Sequence, residues 1–338
     1  MCIFPVLFKG LLPPKTLVIG SKSLKLLKQS TGKESSDFFE AYLILAIDSI
    51  KKRNLNKSNI YLNELSRFKE NSTFKLIIYE SLKNYIYLFE NKQTLSNVNT
   101  LGNLSLISNA FHSCYLEEKQ TQNHFENLFN SSEFDYSRYI FFYINYLIEQ
   151  KQFVKAKEIT DQIDILSSSL LIAQTKNWID NEEFNKFNQI FSCKSETDIL
   201  SEFFFLISNI YSSEDEIEKS NFYLKISNFL NPKFHFNLSL FVENYYNSKN
   251  YRKTEKVLDY FDESDDLYYW YKIKIKTQII SQELGEEQAY NFINSKFKKI
   301  KNPSVKILFD MANLVKGFQK HQIAINYYNE LLTKINMN

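Results

Sequence analysis

One segment of this 338-residue chain carries its clearest structural signal: Glu218-Lys-Ser-Asn-Phe-Tyr-Leu-Lys-Ile-Ser-Asn-Phe-Leu-Asn-Pro232. Its apolar side chains recur at three- and four-residue steps, as in Phe222, Ile226 and Phe229, which is the spacing of one face of an α-helix. The closing proline cannot continue a helix and marks the end of the segment. Similar amphipathic segments of roughly 12 to 16 residues follow one another from Ser36 onward, separated by short polar turns. The pattern predicts a chain of helices joined by short turns.

The helical segments form a repeat. Four of them share an apolar first helix, a polar turn, a turn-closing residue and a small residue three positions later. The turn-closing and small residues are Phe153 with Ala156, Ile217 with Ser220, Tyr251 with Thr254, and His321 with Ala324. With Ala289 as an intervening member, the small residues from Ser220 to Ala324 are 34 or 35 positions apart. A hairpin of this size cannot bury its own apolar face, so it is expected to stack on its neighbours.

This repeat resembles that of the tetratricopeptide family. The segment from Glu218 to Pro232 resembles the second helix of the family motif, down to the closing proline. In the helix before it, a large residue, a leucine, a glycine and an aromatic residue of the family correspond to Phe204, Ile207, Ser208 and Tyr211. The resemblance implies an all-α fold, an α-α superhelix or solenoid of antiparallel helix hairpins, in which a small Ser208 lets the two helices approach closely.

The repeat does not extend evenly over the chain. Residues 1–35 hold three of the five prolines and three of the six glycines, and we expect an irregular, poorly ordered segment there. Residues 36–338 are expected to form an array of about nine hairpins, clearest at 137–165 and 201–338. The match is poor at 73–130 and at 170–191, where the bulky Phe187 occupies the place of a small residue.

The composition excludes several classes of protein. Lysine and arginine number 41 against 39 acidic residues, so the net charge of +2 gives no general attraction for nucleic acid or anionic membranes, and nucleic acid is not expected as a partner. Cys2, Cys114 and Cys193 are far apart, and we expect buried or idle thiols, without a disulfide framework or a zinc site. Long apolar runs and an export signal are missing, which predicts no membrane span and a cytoplasmic location.

No enzyme motif is present. The four histidines are scattered without the spacing of a metal site. Thr31 to Ser35 contains Gly-Lys, but Leu27 stands where the first glycine of a phosphate-binding loop would be. We therefore expect no catalysis, no cofactor and no metal.

The resemblance also indicates a binding surface, because first helices line the concave groove of tetratricopeptide arrays. It places three Phe and Asn pairs at equivalent groove positions: Phe141 with Asn145, Phe205 with Asn209, and Phe309 with Asn313. Residues four apart lie one turn apart on the same helix face, so each pair joins an apolar ring to an amide that suits an extended peptide. The repeat that begins at Leu238 instead has Glu243, with Tyr246 nearby, which favours some positive charge on the ligand. The alternative is that the rings only pack neighbouring helices together.

Two charge clusters allow two readings. Acidic residues surround a turn at 259–266, and eight lysines follow it: Lys272, Lys274, Lys276, Lys296, Lys298, Lys299, Lys301 and Lys306. They could form a cation site and a phosphate-binding face, but solvated helix ends are the more ordinary interpretation and the one we favour.

The sequence thus predicts a non-catalytic scaffold that binds a protein or peptide in the groove. The first alternative is an RNA-binding helical-repeat protein, which the lysines around Lys296 would serve. The second is a fragment of a larger regulatory or assembly protein. Asn338 directly follows a second helix, with no polar helix to cover the last apolar face. We expect this end either to pair with another molecule or, as we favour, to continue in a longer protein.

Overall fold

The computed structural model describes residues 37–68, 72–95, 104–130 and 137–336. Every regular element in these ranges is a helix, which confirms the all-α prediction. The segment predicted to be irregular, 1–35, lies outside them. In chain order the α-helices are α1 (Asp37–Lys51), α2 (Leu55–Leu65), α3 (Thr73–Asn91), α4 (Leu104–Tyr115), α5 (Thr121–Asn130), α6 (Ser137–Glu149), α7 (Phe153–Asp161), α8 (Leu170–Asp180), α9 (Asn185–Ile190), α10 (Glu196–Ser213), α11 (Ile217–Leu230), α12 (Leu238–Asn247), α13 (Tyr251–Leu258), α14 (Asp266–Leu284), α15 (Glu286–Phe297), α16 (Val305–Gly317) and α17 (His321–Asn336), with a 3₁₀ turn at His235–Asn237 before α12.

Most of the helix pairs share one type of turn. The backbone is left-handed, with φ of 54° to 61°, at Arg53, Glu117, Lys151, Glu182, Asp215, Lys249 and Gln319. At Lys249, for example, the backbone N–H donates to the carbonyl of Tyr246, and the next N–H donates to that of Tyr245. This pair of bonds caps the last carbonyls of a helix and usually has glycine at the left-handed position. A chain with six glycines uses side-chain-bearing residues there instead.

The predicted helix starts and small residues are confirmed. The second helices begin at the four turn-closing residues named above, Phe153, Ile217, Tyr251 and His321. The corresponding small residues, from Ala156 to Ala324, are all buried. Ser208 is buried as well, and its hydroxyl donates to the carbonyl of Ser220 across the hairpin at 2.8 Å. Small side chains at these positions allow two helix backbones to come close together.

The exception is the pair α8 and α9. Phe187 fills the place of the small residue, and its ring lies 5.3 Å from Trp178 and 5.8 Å from Phe141. The second helix of this pair is only six residues long. A large ring at the contact supplies the core with bulk but keeps the two helices apart.

The described residues group into two units. The first takes its residues from Met1–Ser132 and Ile190–Phe234, and the second takes them from Glu133–Gln189 and His235–Asn338. No feature of the sequence indicated this division of the array expected at 36–338. Each unit joins parts of the chain that are far apart in sequence.

In the first unit, α10 and α11 pack against α1. The Lys51 ammonium group donates to the carbonyl of Phe229, 178 residues further along the chain, and lies 3.9 Å from the centre of the Phe229 ring. A simple linear array brings each repeat into contact only with its sequence neighbours. This long-range contact is therefore additional to nearest-neighbour stacking.

The first unit also contains a disulfide, so the prediction of buried or idle thiols without a disulfide is wrong for two cysteines, although both are buried. Cys114 of α4 and Cys193, just before α10, are bonded across 79 residues, with Cα atoms 5.9 Å apart. Sequence spacing could not reveal the pair because the fold brings the two residues together. Cys2 lies outside the described residues.

In the second unit, the last four helices share one apolar core. Trp270, Ile293, Met311 and Leu331 represent α14 to α17 in it, and Ala173 of α8 joins them. Two polar contacts attach the α8 region to this core: Gln174 donates to Asp265 at 2.6 Å, and the Lys306 ammonium group donates to the carbonyl of Leu166 at 2.7 Å. Residues before the 190–234 segment therefore pack beside residues that follow it.

Candidate functional site

The first of the three Phe and Asn pairs does not line an open surface. Phe141 is 0% exposed and Asn145 is 1% exposed. The Phe141 ring packs against Phe142, Phe187 and Phe236 within the second unit. The expected groove position is corrected for this pair, because α6 is covered by α9 and by the 3₁₀ turn before α12.

The other two pairs have different surroundings. Phe205 is buried and Asn209 exposed in the first unit, whereas Phe309 is half-buried and Asn313 exposed in the second. The three pairs therefore belong to two different units, and their side chains are buried to different extents. Their equivalence as a peptide-binding ladder stays a prediction, and Phe309 with Asn313 is the pair whose two members both remain partly accessible.

Glu243 and Tyr246 lie on α12. Tyr246 is half-buried, with its ring 5.7 Å from that of Tyr251. Desolvation raises the pKa of the Glu243 carboxyl. Burial raises the pKa of Tyr271 on α14 well above its usual range, and the charge of Glu243 raises it further. Glu243 is thus close enough to Tyr271 for the two groups to influence each other.

Tyr271 belongs to a cavity of about 470 Å³ between two first helices, α14 and α16. The cavity is lined by Tyr271, Lys274, Ile275, Gln278, Ser281, Glu286, Asp310, Asn313, Leu314, Gly317 and Phe318. Asn313 is the member that the sequence singled out. Its amide oxygen accepts a hydrogen bond from the Tyr328 hydroxyl at 2.6 Å, so its nitrogen is the group that faces other partners.

Two of the three charged side chains that line this cavity, Lys274 and Asp310, are paired with each other, and the third is Glu286. The Asp310 carboxylate accepts from Trp270 Nε1 at 3.1 Å and from the Lys274 ammonium group at 2.8 Å, and it lies 3.3 Å from the Lys306 ammonium group. These contacts fix α14 against α16. The part of the wall around Asp310 is therefore polar, and Lys274 is neutralised by its carboxylate partner.

The Tyr271 hydroxyl is different, because it is buried and has no hydrogen-bond partner among the described residues. Leaving a buried polar group unsatisfied costs about 1 to 3 kcal/mol. A ligand atom that displaces the groups covering this hydroxyl and accepts its hydrogen bond would recover this cost. Nothing in the sequence around Tyr271 distinguishes it from the many other tyrosines, so sequence reasoning missed it.

A wider cavity of about 1100 Å³ lies within the first unit. Several of its charged side chains have partners within the cavity. Lys194 contacts Glu117, the Lys92 ammonium group contacts the Tyr115 hydroxyl, and that hydroxyl donates to Glu196 at 3.0 Å. These groups are therefore engaged in internal contacts and are not free to bind a ligand without losing them.

Within the described ranges, no group of three His, Cys, Asp or Glu side chains could hold a metal ion. In the same part of the chain, no helix combines the length and the apolar character needed to cross a membrane.

No protein-family model, curated protein or solved structure matches this chain. The resemblance to tetratricopeptide repeats therefore depends on the residues quoted above.

Proposed function

We propose that this chain is a non-catalytic interaction scaffold of the tetratricopeptide-like solenoid type, which binds an extended peptide segment of a partner protein against the first helices α14 and α16. One observation carries the proposal: the cavity between these helices is lined by Tyr271, whose buried hydroxyl has no partner among the described residues.

The lining of this cavity fits a peptide. A peptide carbonyl can accept from Tyr271, and a second carbonyl can accept from the Asn313 amide nitrogen. Ile275, Leu314 and Phe318 add apolar surface for a side chain. Lys274 and Asp310 neutralise each other, so the part of the cavity beside them suits the uncharged main chain of a peptide.

The cavity can be tested with peptides selected from a random library on the intact chain. For these peptides we expect Asn313→Ala to weaken binding about tenfold, the effect of losing one hydrogen bond. Tyr271→Phe should also weaken binding, yet raise the stability of the free protein because it removes an unsatisfied hydroxyl.

Asn329→Ala on α17 is the matched control, since Asn329 is exposed in the same unit but does not line the cavity. Affinity and melting temperature would be measured for all variants. Equal peptide affinity for the Asn313 and Asn329 variants would refute the proposed groove.

The C-terminal helix α17 has a second surface on which another molecule could pack. Ile325, Leu332 and Ile335 of α17 are exposed apolar side chains. Positions seven and ten residues apart fall on the same helix face. This supports the prediction that the last repeat pairs with another molecule.

The cytoplasmic location remains a prediction from the sequence. The Cys114–Cys193 disulfide instead favours an oxidising compartment, because disulfides persist mainly there. Alkylating the free thiols of protein from freshly lysed cells distinguishes the two, since a disulfide-bonded chain has only Cys2 available for labelling.

A further inference from the structure

A cavity of about 700 Å³ lies on a different face of α14 from the proposed peptide site. It is formed by α14, α15 and the turn that follows α15. The cavity is lined by Glu263, Asp266, Tyr269, Lys272, Ile273, Lys276, Phe292, Lys296, Lys299, Ile300, Lys301 and Asn302. It shares no lining residue with the peptide cavity. The fold thus gathers into one concave site five of the eight lysines that stood out in the sequence.

Only one of these lysines is paired in the wall. The Lys272 ammonium group lies 2.6 Å from the Glu263 carboxylate and 3.2 Å from that of Asp259. By contrast, Lys276, Lys299 and Lys301 form no ion pair with any described residue. With five lysines and two carboxylates, the lining has an excess of three positive charges.

Three of the five lysines lie close enough to Glu263 to act on its carboxyl group. A hydrogen bond from Lys272, together with the charges of Lys272, Lys276 and Lys296, lowers the pKa of the Glu263 carboxyl. Asp266, the other carboxylate, lies in the first turn of α14, where the helix dipole stabilises negative charge. Both carboxylates are therefore compensated within the protein, and the unpaired ammonium groups remain available to an anion.

The shape of the charge distribution indicates the kind of anion. The whole chain has a net charge of +2, so the excess of three positive charges in this lining is offset elsewhere, and the rest of the chain has no net positive charge that would indicate a long basic surface. Extended nucleic acid requires such a surface along its backbone. A concave site with several converging cations suits a compact anion with several charges.

We propose that this cavity binds a compact ligand carrying two or more phosphate groups, held by Lys276, Lys296, Lys299 and Lys301. The Tyr269 and Phe292 side chains would form the apolar part of the wall. This site is independent of the proposed peptide groove, so either can fail without the other.

The probe is inorganic tripolyphosphate, titrated into the full chain by calorimetry at low ionic strength. We expect binding that weakens steeply with salt, and about tenfold weaker affinity for each lysine removed, the effect of one lost charge-assisted contact. The test variant is Lys276→Gln with Lys299→Gln, and circular dichroism checks that it is folded.

The matched control is Lys298→Gln with Lys316→Gln. It removes the same charge from the same unit, and Lys298 is the direct neighbour of Lys299, but neither residue lines the cavity. Absence of tripolyphosphate binding, or an equal loss of affinity in the two double variants, would overturn the proposal. If a uridine decamer bound more tightly than tripolyphosphate through the same lysines, the ligand would be single-stranded nucleic acid and the compact class would be wrong.

Discussion

The two units use the same hairpin turn but are held together differently. In the first unit, contacts between distant parts of the chain close the structure, through the Cys114–Cys193 disulfide and the contact of Lys51 with Phe229. In the second unit, α14 to α17 follow one another around a continuous core, and α14 has a cavity on each of two faces. The repeat therefore specifies a hairpin without specifying what the hairpin packs against.

The distribution of side chains lets experiments address the units separately. Both tryptophans of the chain, Trp178 and Trp270, belong to the second unit, so tryptophan fluorescence reports on that unit. The disulfide and the buried His112 belong to the first unit. Three changes, taken from the largest expected effect to the smallest, can strengthen or abolish the distinction.

Removing the disulfide should have the largest effect. Closing a loop of 79 residues restricts the unfolded chain, which corresponds to about 4 kcal/mol of stability. We expect Cys114→Ala with Cys193→Ala to lower the urea midpoint of the far-ultraviolet circular dichroism signal. The tryptophan fluorescence transition should shift less, because it follows the second unit.

The control is a reducing agent, which should destabilise the original chain to a similar degree and leave the double variant unchanged. A circular dichroism midpoint that is the same with and without the disulfide would remove the main difference between the units.

Acid should reveal the second difference. His112 is buried against the edge of Tyr85, and burial lowers its pKa to about 4, compared with roughly 6.5 in an unfolded chain. Between these pH values the unfolded state binds a proton that the folded state does not. The free energy of unfolding therefore decreases as the pH falls. We expect His112→Phe to gain about 3 kcal/mol relative to the original chain between pH 7 and pH 4.

Asp198 provides the opposite control in the same unit. Burial raises its pKa to about 6, so its folded state binds the proton first and becomes relatively more stable as the pH falls. Asp198→Asn should therefore change the pH dependence of urea unfolding in the reverse direction. Parallel pH profiles for the original chain and both variants would show that neither buried group titrates as described.

The shared turn should give the smallest effect and an equal one in both units. Arg53 in the first unit and Lys249 in the second have φ of 57° and 54°. Because a side chain is disfavoured in this conformation, Arg53→Gly and Lys249→Gly should each raise stability by about 0.5 to 1 kcal/mol. Thermal unfolding would measure the gain.

Replacement of the same residues by alanine is the control, since it removes the long side chain but retains the strained backbone. A gain with alanine equal to that with glycine would mean that side-chain charge, rather than the backbone, is responsible.

The sequence predicted only part of the candidate site. Asn313 was recognised from its place in the repeat, and it lines the cavity between α14 and α16. Phe141 and Asn145 have the same spacing in sequence, yet they are buried. The Tyr271 hydroxyl carried no sequence signal at all. Spacing places residues on a helix face, but it does not say whether another helix covers that face.

The sequence by itself determined the helical class, the starts of the second helices and the burial of small residues such as Ala156 and Thr254. These depend on periodicity and side-chain size over a few turns of chain, so they are local properties. Only the tertiary structure decided the pairing of Cys114 with Cys193, the burial of Phe141 and the gathering of lysines beside α14. Those features depend on which hairpins become neighbours in space, and similar apolar helix faces allow more than one choice of neighbour.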